Sequence, residues 1–318
     1  MRGWRVATAI AGTVWAVTVA AASADSASVT RAGAWVLEGS MTVASSTANQ
    51  GLTTVIQAGR VVTVTRGSAS VAPGLDERGW THVGDPGSVG GTVVDAYQAS
   101  PSVGAKLFTL TTAAGTRFDY LHRLASGEMS NNSFAAVAPG GQWFVSGEWQ
   151  TMTRLLVFAL PHPTAPTPVV PRSLSLATTI SLTHPVRDVQ GCAFTSPTGL
   201  ICSTNDPGPD LYPVPRQLLS IQLTRALDGR PVTGTPQLLG AVPAQTVCGG
   251  PAGEVEGIDV HGNRLTVAVN APCAASTQLF TYTIAEGARD LASVGSRRDG
   301  GSVRGRRGAG AAGPGRHR

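Results

Sequence analysis

A phrase that the chain repeats limits its possible folds more than any other feature. QGLTTVIQAGRVVTVTRG at residues 50–67 returns as QGCAFTSPTGLICSTND at 190–206 and as EGIDVHGNRLTVAVN at 256–270. In each copy a polar residue and a glycine open a short apolar strand, a turn centred on glycine follows, and a second alternating strand leaves it. That is the pattern of a β-hairpin. One hairpin cannot bury its apolar face alone, so its recurrence through a chain of 318 residues requires stacked, blade-like units.

Two further stretches read the same way. GWTHVGDPGSVGGTVVDAYQ at 79–98 is expected to run strand, Gly-Asp-Pro-Gly turn, strand, and NSFAAVAPGGQWFVSGEW at 132–149 turns at Pro139-Gly140-Gly141. Alternating runs KLFTLTT (106–112), FDYLHRL (118–124), RLLVFAL (154–160) and QLFTYTI (278–284) supply further strands, and 217–223 alternates well enough to be another. The expected class is therefore all-β, a β-propeller-like fold of five to seven blades of antiparallel strands, with paired β-sandwiches as the alternative. Taking Gly79, Ser133, Gly191 and Gly257 as equivalent openings gives steps of 54, 58 and 66 residues, each enough for four strands. The 28 residues from Gly51 to Gly79 are too few, so the N-terminal blade is incomplete and closed by a C-terminal strand, or its register differs. The prolines between 161 and 171 predict an extended connector between blades or a domain boundary.

The ends differ from the body. Residues 1–24 carry Arg2 and Arg5, an apolar stretch at 6–22 and an Ala22-Ser23-Ala24 cleavage pattern, the three parts of a secretory signal. The expected destination is outside the cell, with no transmembrane span after cleavage. Residues 291–318 hold seven arginines against Asp299 and have almost nothing apolar to bury, the composition of a disordered Gly/Arg-rich tail. Residues 25–290, expected to form a single propeller-like domain, hold 15 Arg+Lys against 18 Asp+Glu, a net −3. The formal +5 of the whole chain thus belongs to its ends. A mildly acidic body argues against nucleic acid as the partner and leaves an extracellular ligand, a cell-wall component or another protein.

Four cysteines follow the signal, an even number in an exported chain. The turn at 196–199 places Cys192 opposite Cys202, and the turn at 261–263 brings Cys273 back towards Cys248, which predicts the disulfides Cys192–Cys202 and Cys248–Cys273.

Chemistry is harder to find. No G-x-S-x-G elbow and no H-E-x-x-H pair occurs, so no catalytic residue is assigned. What remains is a set of polar residues at the hairpin openings: Gln50, His82 with Asp85, Asn132, Gln190, Glu254 and Glu256. Inner strands of a propeller line its axis, so these groups are candidates to converge there and hold a ligand or a hard cation such as Ca²⁺. A metal so placed could activate water against a lactone or phosphoester. Asp85-Pro86-Gly87 is equally ordinary turn chemistry, Gln50 and Gln190 equally backbone-satisfying amides, and Glu148 a solvated strand end. Asp206 and Asp210, in NDPGPD, suit either a surface Ca²⁺ loop or a turn.

The phrases THVGDPGSVGGTVVDAYQ, NNSFAAVAPGGQWFVSGEW and QGCAFTSPTGLICSTND resemble those of uncharacterised secreted bacterial proteins with propeller-like repeats. Their form is distantly similar to gluconolactonase-like and phytase-like propellers, a resemblance that implies channel-facing acidic residues around a divalent metal. Only Glu256 matches such an acidic opening; Gln50 and Gln190 stand where the others would be. The expected function is an exported, non-catalytic ligand- or protein-binding propeller, with a metal-dependent hydrolase of lactonase or phosphoesterase type as the alternative.

Overall fold

The structure, a computed structural model, describes residues 31–130, 134–162, 171–244, 253–271 and 275–285. The signal segment, the C-terminal tail, Asn132, Cys248 and Cys273 lie outside these residues.

Twenty-one strands follow in order: β1 (Arg31–Ala32), β2 (Trp35–Ala44), β3 (Gly51–Gln57), β4 (Arg60–Arg66), β5 (His82–Val83), β6 (Gly87–Val89), β7 (Thr92–Gln98), β8 (Ala105–Thr111), β9 (Arg117–Arg123), β10 (Ala136–Val137), β11 (Trp143–Ser146), β12 (Thr151–Ala159), β13 (Arg172–Ser173), β14 (Leu176–Arg187), β15 (Val189–Ser196), β16 (Gly199–Thr204), β17 (Gln217–Leu223), β18 (Val232–Ala241), β19 (Glu254–His261), β20 (Arg264–Asn270) and β21 (Ser276–Ile284). Four of the five expected hairpins are present as β3–β4, β10–β11, β15–β16 and β19–β20, and the fifth stretch forms a hairpin, β6–β7, about a different turn.

Each hairpin is the inner half of a wedge. Outward from the axis run β6-β7-β8-β9, β10-β11-β12-β14, β15-β16-β17-β18 and β19-β20-β21-β2. The first wedge is β3–β4 alone. The inner strands touch in a closed cycle, β3 to β6 to β10 to β15 to β19 and back to β3. An unbroken ring of inner strands with sheets radiating from it is a five-bladed propeller-like architecture, and paired sandwiches have no such ring.

Alternation along the strands explains the packing. The two faces of a blade meet the blades on either side, so both faces bury apolar side chains. Phe108 of blade 2 packs on Phe144 and Phe158 of blade 3, with ring centroids 4.9 and 5.1 Å apart. Val157, Leu155 and Ile180 of blade 3 meet Leu219, Ile221 and Cys202 of blade 4. Ile201 and Leu218 of blade 4 meet Val255, Val267 and Phe280 of blade 5. Around blade 1 the layer thins to Leu52 with Ala268 and Leu279.

Blade 1 is incomplete, as the 28-residue step implied, with two strands among the described residues. Several other expectations are corrected. No C-terminal strand among the described residues completes blade 1; instead N-terminal β2 lies against C-terminal β21 from Trp35↔Ile284 to Ala44↔Ser276 and completes blade 5. Gly79 opens no strand: it ends a 3₁₀ turn with φ of +86°. The turn of the second hairpin is Gly90–Gly91, both at positive φ, which leaves Gly84-Asp85-Pro86-Gly87 as a break in the inner strand. Most of the proline segment, residues 163–170, lies outside the described residues; the strands that flank it, β12 and β14, pair within one blade, and β13 just after it pairs in parallel with β9 of blade 2. Blades 3 and 4 also fuse at their rims, because β14 pairs in parallel with β18 through Ile180↔Val232.

The Cys192–Cys202 disulfide is formed between directly paired residues, Cα atoms 4.1 Å apart and 10 residues distant in sequence. Loop-entropy reasoning gives such a short closure about 3 kcal/mol. Replacing both cysteines by serine is expected to lower the urea unfolding free energy by about that amount without changing the far-UV circular dichroism spectrum.

Candidate functional site

The break at residues 84–87 carries the centre of the molecule. β5 and β6 both pair with β7, His82 opposite Gln98 and Gly87 opposite Val94. Between them Pro86, which has no N–H, interrupts the ladder, and the chain steps inward so that Asp85 enters the axis. Its backbone carbonyl accepts from Ala135 N–H of blade 3 at 3.0 Å. Its carboxylate accepts from Leu52 N–H of blade 1 at 3.0 Å and from Ile258 N–H of blade 5 at 3.2 Å. One residue of blade 2 therefore bonds to three other blades.

The glycines of the repeated phrase make room for it. A Cβ on Gly51 would sit 2.5 Å from the Asp85 Cα, one on Gly191 2.9 Å from the Asp85 Cγ, and one on Gly257 2.5 Å from that Cγ and from the Gly51 Cα. No side chain fits any of the three positions. Gly257 N–H also donates to the Gln50 carbonyl at 3.3 Å, joining blade 5 to blade 1. The Ser203 hydroxyl lies 2.6 Å from the Glu256 carbonyl and 3.4 Å from that of Gly191, joining blade 4 to blade 5.

Burial pushes the Asp85 carboxyl well above the ordinary carboxylate range, against the pull of its two amide donors. Burial does the same to Glu256, helped by Glu254 and by Asp85 itself. These two acids are thus brought together at the axis. Glu254 is exposed at the head of β19, with the Asn205 side-chain amide 3.4 Å away. Gln190 is buried beside Gly191, and Gln50 uses its backbone N–H on the Arg66 carbonyl at 2.9 Å. His82 is partly buried in β5, and burial lowers its pKa. Among the described residues no three His, Cys, Asp or Glu side chains are grouped so as to hold a metal ion.

Two acidic expectations change. Asp206 and Asp210 clamp the Arg187 guanidinium, so a side-chain cation stands where a surface Ca²⁺ was one option. Glu148 is buried, not solvated. It accepts from Arg154 Nε at 2.6 Å and Met129 N–H at 2.9 Å, beside a buried group with no counterpart in the sequence reading. There Lys106 Nζ donates to the Gly147 carbonyl at 2.5 Å and lies 3.7 Å from Glu128 Oε1, while Glu128 meets His122 Nε2 at 2.9 Å. Burial lowers the Lys106 pKa to about 8, against the pull of Glu128 and Glu148. One signal was available: Lys106 is the chain's single lysine among 24 basic residues.

Beyond Asp85 the ring opens into a funnel of about 190 Å³ walled by all five inner strands. Thr53, Thr54, Ser88, Asp259 and His261 are its polar lining, and the Cys192 end of the disulfide lies in the same wall. The Thr53 hydroxyl donates to Ser88 Oγ at 3.0 Å, Ser88 to the Thr54 carbonyl at 2.6 Å, and Thr54 to Asp259 Oδ2 at 2.6 Å. Burial raises the Asp259 pKa, opposed by hydrogen bonds from Thr54. These residues follow the hairpin openings by two to four positions and alternate with core residues, so composition alone does not mark them.

No protein-family model and no curated protein sequence matches the chain. Among solved structures it is similar to Myxococcus xanthus glutaminyl cyclase, at 12% identity and a TM-score of 0.46, over 80% of this chain and 97% of that one. It is also similar to the β-propeller domain of Myceliophteria thermophila Cps50 (Swd1), at 15% identity and a TM-score of 0.33, over 73% of this chain and 62% of that one. Likenesses at this level carry no argument about function, and the fold stands on the ring of inner strands.

Gly257→Ala, Gly191→Ala or Gly51→Ala is expected to cost more than about 3 kcal/mol, since backbone and a buried carboxyl must both shift; soluble yield and the urea midpoint are the measurements. The raised acids give a pH signature. The folded state holds protons that the unfolded chain releases near pH 4, so their contribution is present in acid and is lost as pH rises towards their folded pKa values. Across about pH 5 to 8, Asp85→Asn combined with Glu256→Gln is therefore expected to show a smaller fall in unfolding free energy than the wild type.

Proposed function

We propose that the protein is an exported, non-catalytic propeller that binds a ligand in its axial funnel. The observation that carries this reading is the filling of the axis. At the level of the hairpin openings, where a channel metal would gather its ligands, the Asp85 carboxylate stands in a glycine cradle with backbone amides on both oxygens. A hard cation needs six to eight oxygen ligands, and this carboxylate is already engaged in holding blades together. The open, polar-lined concavity is the funnel on the other side of it, a shape suited to binding.

Export is supported by the signal pattern of residues 1–24 and by the Cys192–Cys202 disulfide, a bond that persists in oxidising compartments. Among the described residues no helix is long and apolar enough to cross a membrane. The ligand would then be an extracellular small molecule, or a terminal group of a cell-wall component or protein.

Calorimetric Ca²⁺ titration, paired with turnover assays on a fluorogenic lactone and a fluorogenic phosphoester, separates this reading from the metal-dependent hydrolase. The expected result is neither saturable Ca²⁺ heat nor turnover. Ca²⁺-dependent turnover that disappears in Glu256→Gln would establish the hydrolase instead.

A further inference from the structure

The hydrogens of the funnel's hydroxyl groups are already used. Each hydroxyl carries one: that of Thr53 goes to Ser88, that of Ser88 to the Thr54 carbonyl, and that of Thr54 to Asp259. What these groups still offer a ligand is lone pairs. Thr53 Oγ1 and Thr54 Oγ1 keep their acceptor sites, Ser88 Oγ keeps one, and the Asp259 carboxylate has capacity beyond its hydrogen bonds from Thr54 and Val260. Among the described residues no lysine or arginine lines the cavity, and exposed His261 is the one basic side chain in that lining. Val137 and Phe194 add a small apolar part to an otherwise polar wall.

We propose that the funnel takes a compact ammonium group on a short apolar stem. The inference rests on the funnel being the ligand site and names what it selects. An ammonium has three donors and no acceptor, which complements a wall of acceptors in hydrogen bonding and Asp259 in charge. A carboxylate or phosphate head would face Asp259 with no hydroxyl donor left to receive it. A neutral alcohol would use the acceptors but gain nothing from the carboxylate, and charge-assisted hydrogen bonds are roughly twice as strong as neutral ones. The volume of about 190 Å³ lies below the range of drug-sized pockets and accommodates a few methylenes beside Val137 and Phe194. A free amine or a lysine-like chain end satisfies this description.

The test holds the stem constant and changes the head. n-Butylammonium, 1-butanol and butyrate are titrated into the full chain, with amide chemical shifts of Thr54, Ser88 and Val260 reporting the site. The expected result is saturation by n-butylammonium at millimolar concentration, at least tenfold tighter than by either other probe. Asp259→Asn is expected to weaken it at least tenfold and Ser88→Ala a few-fold, both variants keeping the wild-type circular dichroism spectrum. Equal or tighter binding of 1-butanol or butyrate at the same amides overturns the ammonium assignment and leaves the funnel as the ligand site. Undiminished binding by both variants, or no saturation by n-butylammonium, overturns it too. The binding reading itself falls on a different result, the Ca²⁺-dependent turnover described above.

Discussion

The ring depends on one buried carboxyl group. Asp85 leaves its own blade at a proline break and takes amide hydrogens from blade 1 and blade 5 while its carbonyl accepts from blade 3. A propeller must join the first blade to the last, and here that seam carries little apolar packing, since Leu52, Ala268 and Leu279 are its main buried residues. Hydrogen bonds in a buried centre are stronger than the same bonds at a surface, and losing one partner leaves a costly orphan. The seam is thus made polar at the axis where it is thin at the periphery. The second device, β2 laid along β21, completes blade 5 with the N-terminal strand, so both ends of the described chain meet in one sheet.

Polar networks are separated by radius. At the axis, Asp85 and Glu256 share a site where burial favours their neutral forms. Further out, charges are kept in pairs: Arg66 with Asp95, Arg154 with Glu148, and Lys106 with Glu128. Two of those pairs join neighbouring segments of the wheel, Arg66 of blade 1 to Asp95 of blade 2 and Lys106 of blade 2 to the loop that leads into blade 3, while Arg154 and Glu148 pair within blade 3. Buried ions without partners would be far more expensive than either arrangement.

The strands were legible because period-two alternation and glycine turns are local signals: four of the five hairpins, with β8, β9, β12, β17 and β21, stand where alternation places them, and the second hairpin forms about a different glycine pair. The site was legible only in part. The polar member of each Gln-Gly or Glu-Gly pair drew notice as a ligand, whereas the glycine is what the axis requires, for lack of a Cβ. That requirement is a contact between residues 34 and 172 positions apart, Gly51 and Gly257 against Asp85, which no local window contains. Asp85-Pro86-Gly87 has the composition of a turn, and composition cannot distinguish reversing a chain from breaking a strand inward. Glu148 looked solvated because its partner Arg154 faces it only across the turn between β11 and β12. Asp259 and Thr54 meet between the last blade and the first, so neither strand alone shows a carboxylate awaiting a hydroxyl.

Blade 1 has a further consequence. The rim pairing of β14 with β18 makes blades 3 and 4 a single eight-stranded body, whereas among the described residues β3 and β4 have no third strand behind them, and Ile56 and Val61 on this hairpin stand exposed. Resistance to deformation follows the bonds and buried contacts a segment holds, so the wheel is stiff on one side and compliant on the other. Thr53 and Thr54 lie on the compliant side. The aperture of the funnel is therefore governed by its thinnest spoke, and the wall that carries the hydroxyls is the one freest to adjust around whatever enters.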